Sequence, residues 1–351
     1  MTIPLPLGAN QPANRFYRGG EKIRQFRGHA AGAAAGDRVP EDWVASTTTL
    51  FGEPSRGMSI LPGTFPPHVA RSLRQAVAAN PQAWLGPQHV AAFGADSKLL
   101  VKLLDAGQRL PVHVHPHGDF ARSHLGASHG KAEAWFILSP GTVWLGFSRE
   151  VGDELAGLVA GQDVDALLGA LHTIEVQAGD TVYVPPGLPH AIGAGIFLIE
   201  VQEPTDLSIL LEWKDFALDG EADGHLGIGF PTALTATDTR AWSPAQVEEL
   251  VVRAGATGES GSILSPAAAE YFRLERLEID GVITVEGGYG VLVVIDGDGA
   301  LLTRAAVSAH PRELPLSRGD TVVVPHAAGT LTLRGRLTVL RCRPPDAPPV
   351  F

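Results

Sequence analysis

The sequence has a single cysteine, Cys342, among 351 residues. No internal disulfide can form, so stability must come from an ordinary packed core. Positive charge is scarce as well: 27 lysines and arginines face 38 aspartates and glutamates, a net charge of −11. Without a basic surface, nucleic acid is not an expected partner. No apolar run approaches the roughly eighteen residues that a membrane helix needs. The opening stretch MTIPLPLGANQPANRF lacks the apolar region of a secretory signal. The expectation is a soluble cytoplasmic protein with no membrane partner.

Helix signals are also few. PPHVARSLRQAVAA (66–79) carries Val69, Leu73 and Val77 on one face after a proline start. DELAGLVAGQDVDALLGALH (153–172) reads as two short helices around Gly161. SPAQVEELVVRAG (243–255) has a serine N-cap, a proline at the first helical position and a glycine stop. The rest consists of short apolar runs broken by turn residues, with 41 glycines and 27 prolines. That pattern predicts a mainly β protein rich in loops, and the length predicts two or three domains. GHAAGAAAGDR (28–38) reads as a Gly/Ala-rich surface loop. VQAGDTVYVPPGLPHAIGAG (176–195) and LSRGDTVVVPHAAGTLTLRG (316–335) share G-D-T-V-x-V-P. This internal repeat predicts two β domains of one kind, the first alone retaining a histidine, His190.

Histidine is concentrated in LPVHVHPHGDFARSHLGASHGKAEAWF (110–136). His113 and His115 are two apart, so on a strand both imidazoles share one face while Val112 and Val114 face the packing side. Gly107 to His115 fits G-x5-H-x-H, and Gly179 to His190 fits G-x5-P-x-G-x2-H. These match the first and second sequence motifs of cupin barrels, in the right order. The expected fold is therefore two cupin (jelly-roll type) barrels with small helical insertions. The expected division is a metal-binding cupin domain at 1–218, with insertions at about 66–95 and 150–172. A linker and helix follow at 219–260, then a metal-free cupin domain at 261–351.

In most cupins a glutamate follows H-x-H closely, but here Asp119 stands there and Glu133 lies further on. GKAEAWF (130–136) resembles the G-K-x-E-x-W motif of the type I phosphomannose isomerases, zinc-dependent cupins with a loop before that glutamate. PEDWVAST (40–47), GIFLIEVQEPTDLSILLEW (195–213) and YFRLERLEID (271–280) extend the resemblance over most of the chain. It implies His113, His115, Glu133 and His190 as the ligands of one divalent metal. His113 stands where the family usually has glutamine. Three imidazoles and a carboxylate leave room for water or a substrate oxygen. Zinc is the expected ion, with manganese, iron and cobalt as alternatives. His117, His124 and His129 read as solvated loop residues.

Two departures bear on the substrate, which the resemblance implies is a small sugar. Aligned on Asp206, the family's catalytic arginine falls on Leu210, and a phosphate-contacting serine falls on Pro111. A phosphate dianion favours bidentate arginine, so an unphosphorylated or atypical sugar is expected. Arg109 and Arg122 are nearby in sequence, and Arg109 is a candidate for a shifted anion contact. Aldose–ketose isomerisation needs a base that moves a proton between adjacent carbons. Lys131, two residues from Glu133, is the first candidate, its pKa expected to fall through burial and the metal charge. Asp206 and Glu200 are the others. Gln202 shares the face of Glu200, and Trp135 that of Glu133, so both are candidate substrate contacts. The competing readings are mannose-6-phosphate isomerase proper, a three-histidine, one-glutamate cupin oxygenase, and a non-catalytic sugar-binding cupin.

Overall fold

The computed structural model describes residues 3–28, 36–62, 71–255, 262–303 and 312–348. Its strands form three antiparallel sheets. The first has six strands in the order Val251–Val252, Thr181–Val184, Glu133–Ser139, Phe197–Gln202, Leu100–Asp105 and Glu41–Val44. The second has five, in the order Ile209–Leu210, His113–Val114, His190–Ile192, Gly141–Phe147 and Leu171–Val176. The third is C-terminal and centres on the long strands Arg273–Val285, Gly290–Thr303 and Leu331–Arg343. Among the described residues no helix is long and apolar enough to cross a membrane.

The repeated G-D-T-V-x-V-P segment builds the same turn twice. Gly179 and Gly319 both have positive φ, 92° and 93°, where glycine avoids the penalty of a side chain. Asp180 accepts the backbone N–H of Gln177 at 3.0 Å, and Asp320 that of Ser317 at 2.8 Å. Each strand that follows gains a short partner from far along the chain. Val251–Val252 pairs with Thr181–Val184, and the N-terminal Leu5–Leu7 pairs with Thr321–Val324. The first strand of the chain thus belongs to the C-terminal sheet.

The central strands Leu100–Asp105 and Phe197–Gln202 are buried along their whole length, as strands covered on both faces must be. Val112 and Val114 pack into an apolar cluster with Leu155, Val159 and Leu167, from the helices Glu154–Gly161 and Val164–Ala170. Those two helices match the sequence expectation. The other two expected helices are shorter than the pattern suggested. The helix over 66–79 is observed as Leu73–Ala79, starting at a Ser72–Gln75 capping box, and 66–70 lie outside the described residues. The reciprocal hydrogen bonds of the box set the start, rather than the proline. The helix over 243–255 is Pro244–Glu248 only, because Val251 and Val252 are taken by the first sheet. Most of the Gly/Ala-rich stretch 28–38 lies outside the described residues.

Two further short helices, Pro81–Leu85 and Pro87–Phe93, meet at Gly86. A Cβ there would lie 2.6 Å from Nδ1 of His326, so glycine lets these helices dock on the short turn His326–Ala328.

Candidate metal centre and active site

The site lies between the first two sheets. His113 and His190 are register partners in the second sheet, and His115 follows on the same strand edge. The ligand nitrogens of His113, His115 and His190 all lie within 4.8 Å of one another, and all three residues are buried. Each ring donates Nδ1–H to a backbone carbonyl. The acceptors are Pro111 at 2.9 Å, Leu207 at 2.8 Å and Leu188 at 2.8 Å. A carbonyl can only accept, so each proton is fixed on Nδ1 and each Nε2 is left as an acceptor, that of His115 facing the Lys131 ammonium at 2.9 Å.

Glu133 enters from the first sheet. Its Oε2 is 3.0 Å from His115 Nε2 and its Oε1 3.3 Å from His190 Nε2. The return of the chain to this point depends on Gly130. A Cβ there would lie 2.5 Å from the Pro116 carbonyl, and Lys131 N–H donates to that carbonyl at 3.0 Å. The neck of the 116–130 loop is thereby closed beside the histidines.

Burial and the neighbouring cations hold His113 well below its ordinary pKa and His115 down at about 3. Burial alone would raise Glu133, but Lys131 and His115 outweigh it and hold the carboxyl well below its usual range. Neutral imidazoles and an ionised carboxylate are the forms that bind a metal ion. His190 Nε2 is buried without a hydrogen-bond partner, and a cation between it and the Glu133 carboxylate would satisfy it. The residues present therefore fit a divalent metal.

Charges alternate away from this centre. Lys131 Nζ is 2.7 Å from Glu133 Oε2, 2.9 Å from His115 Nε2 and 3.5 Å from Glu200. Glu200 is 3.8 Å from Lys102, which is 3.6 Å from Glu41. Glu41 accepts from Arg15 at 3.0 Å, Tyr17 at 2.6 Å and Trp43 at 2.6 Å. Arg15 reaches Asp206 at 3.6 Å, and Asp206 also accepts the Phe51 backbone N–H at 3.1 Å. A cavity of about 340 Å³ runs along this series. Glu200 is pushed up to about 7, chiefly by burial and by Glu133, against Lys102 and Lys131.

Several site expectations need correction. In the metal-free protein burial lowers the Lys131 pKa, but Glu133 and Glu200 outweigh burial and raise it to about 12; the lowering expected from the metal charge would act against them. Arg109 does not line the cavity; its guanidinium grips Glu212, whose carboxylate also takes the Val112 N–H at 2.8 Å. It steadies the strand entering His113. Trp135 is fully buried in the core and donates to Glu133 at 3.1 Å, so it orients that carboxylate rather than walling the cavity. Gln202 is also fully buried, its amide holding the turn at Glu203 and Thr205. His117 and His124 are exposed as expected, but His129 is clamped 2.7 Å from Asp96. Lys131, Glu200 and Asp206 do line the cavity.

Arg15, Glu41 and Lys102 escaped the sequence reading. The signal available was Lys102 alone inside LLVKLLD, an apolar run where a charge needs a buried partner. Arg15 and Glu41 sit in segments with no periodic pattern.

Sheets and site together define a mainly β, antiparallel protein with a buried histidine cluster able to hold a metal ion. No family model matches the chain. The chain is 27% identical over 249 residues to mannose-6-phosphate isomerase ManA of Bacillus subtilis, covering 68% of this chain and 72% of that protein. It is 28% identical over 275 residues to mannose-6-phosphate isomerase of Streptococcus mutans, covering 72% and 77%. The crystal structure of mannose 6-phosphate isomerase from Bacillus subtilis has the same fold, with a TM-score of 0.73 at 21% identity over 97% of this chain and all of that one. The chain is thus similar in sequence to mannose-6-phosphate isomerases and shares their fold.

Proposed function

We propose that the protein is a metal-dependent aldose–ketose isomerase acting on an unphosphorylated sugar. The observation that carries the choice of substrate is the charge of the cavity wall. Arg15, Lys102 and Lys131 are its cations. Six carboxylates oppose them: Glu41, Glu53, Glu133, Glu200, Asp206 and Asp223. Each of these cations is already paired with a carboxylate, Arg15 and Lys102 with Glu41 and Lys131 with Glu133. Such a wall offers a phosphate dianion no unpaired cation but suits hydroxyl groups, which donate to carboxylates. Leu210 and Pro111 both line the cavity, so neither position supplies a donor for an anion.

His113, His115, His190 and Glu133 would hold the ion, with zinc the expected occupant. A divalent ion held there would supply Lewis-acid polarisation of a carbonyl oxygen. Lys131 and Glu200 stand beside it as the acid–base pair. The Lys131 ammonium holds Glu133 in place and donates toward a substrate oxygen. Glu200, buried, with Oε1 held only by the longer ion pairs to Lys131 and Lys102, is the group that takes and returns the carbon-bound proton. Asp206 and Arg15 orient the far hydroxyls from the rim. Tyr17 and Trp43 fix Glu41, which in turn holds Lys102 against Glu200.

The two barrels and the division near residues 218 and 261 are part of this reading, supported by the repeated turn. The test is turnover of free mannose and fructose against their 6-phosphates by metal-loaded protein. Activity confined to the phosphates would restore mannose-6-phosphate isomerase proper, the activity named for the relatives.

A further inference from the structure

A second cavity of about 740 Å³ adjoins the metal cavity. Phe51, Glu53 and Asp206 line both. Asp206 is the partition: one oxygen holds the Phe51 N–H and the other faces Arg15. The outer wall is built of hydroxyls, Thr47, Thr48, Thr49, Ser97 and Thr205, together with two phenylalanine rings, Phe51 and Phe93. The Phe51 ring stands at the rim, 50% exposed. Thr48 is buried, and its hydroxyl has no hydrogen-bond partner, a state that a ligand can relieve. Charge does not favour an anion here, because Arg74 and His129 face Glu53, Asp96 and Asp206. Hydroxyls and carboxylates that exchange hydrogen bonds with a polyol, beside apolar ring faces, suit a carbohydrate. The inner cavity is near the lower limit for a small-molecule site, roughly 300 Å³, and the outer one well within the range.

We infer that the outer cavity is a second sugar subsite, so that the substrate is a reducing disaccharide or longer glycoside with its reducing unit in the metal cavity. This rests on the isomerase reading for the inner unit and extends it. An aldose–ketose isomerisation uses only the first two carbons of the reducing unit. A glycosyl group on its far side reaches past Asp206 without touching the reacting atoms.

Binding of alditols tests this, because a reduced sugar has no carbonyl to isomerise. Metal-loaded full-length protein is titrated calorimetrically with mannitol and with the alditol of a β-1,4-linked mannobiose. The disaccharide alditol is expected to bind about tenfold more tightly. Phe93→Ala removes a wall of the outer cavity, and Ser128→Trp, at an exposed lining position, fills it. Each is expected to remove most of the advantage. Equal affinity for the two alditols overturns the inference, as does an advantage that survives both variants. Failure of the isomerase reading is seen separately, as no exchange of the C2 proton in any free sugar. With the disaccharide preference intact, that result would support the subsite while removing the isomerase reading.

Discussion

Glu200 and Lys102 stand directly opposite each other on neighbouring strands, with both charged groups buried and 3.8 Å apart. Neither charge could be accommodated alone. Lys102 is shared between Glu200 and Glu41 and lies 4.9 Å over the ring of Trp43. The pair joins the metal centre to the N-terminal segment that carries Arg15 and Tyr17.

Replacing Lys102 by methionine therefore leaves two buried carboxylates short of a partner. We predict a loss of roughly 3–5 kcal/mol in unfolding free energy, measured by urea denaturation of the metal-loaded protein. A loss below about 1 kcal/mol would mean that water reaches these groups.

Metal content should depend on His190 more steeply than on any loop histidine. His190→Ala is expected to fall from one metal equivalent to nearly none by elemental analysis, whereas His124→Ala keeps its metal. Chelation should lower the melting temperature of the parent protein and leave that of His190→Ala unchanged, because only a folded cage gains stability from the ion.

Much of this cage was legible in the sequence, for a physical reason. Strand periodicity alone puts His113 and His115 on one face, and the glycine-bounded spacing to His190 fixes a turn and a return strand. Glu133 needed a resemblance, because a loop held shut by Gly130 separates it from the histidines. The charged series was not legible. Arg15, Glu41, Lys102 and Glu200 come from four separate segments, and only the strand order brings them together. Arg109 misled because proximity in sequence is not direction; its fork turns away to Glu212. His129 misled because loop residues are usually solvated, whereas Asp96 and Glu203 both reach it.

His129 gives a pH prediction. Burial would lower its pKa, but Asp96 and Glu203 outweigh burial and raise it from 6.5 to about 8. The folded state therefore holds its proton more tightly than the unfolded chain. The resulting stabilisation is complete below about pH 6.5 and is lost as pH rises through 8, contributing about 1–2 kcal/mol. The stability difference between wild type and His129→Gln should narrow by that amount between pH 6 and pH 9 in urea titrations. A pH-independent difference would contradict it.

Leu210 lies opposite His113 in register and lines the metal cavity. Leu210→Arg adds a cation and a bidentate donor there. The ratio of kcat/KM for a 6-phosphorylated sugar over the free sugar should rise about tenfold, equivalent to roughly 1.4 kcal/mol. An unchanged ratio, in a variant that still folds and binds metal, would show that this position does not meet the substrate's far end.

The most direct test of the account is proton exchange in deuterated water. Metal-quantified protein is incubated with mannose, fructose, glucose and their 6-phosphates, and the C1 and C2 protons are followed by NMR. The account predicts exchange and interconversion of a free sugar, with the phosphates slower or inert. Turnover of the 6-phosphates alone would contradict it and would mean that Arg15 or Lys102 leaves its carboxylate partners to take the phosphate.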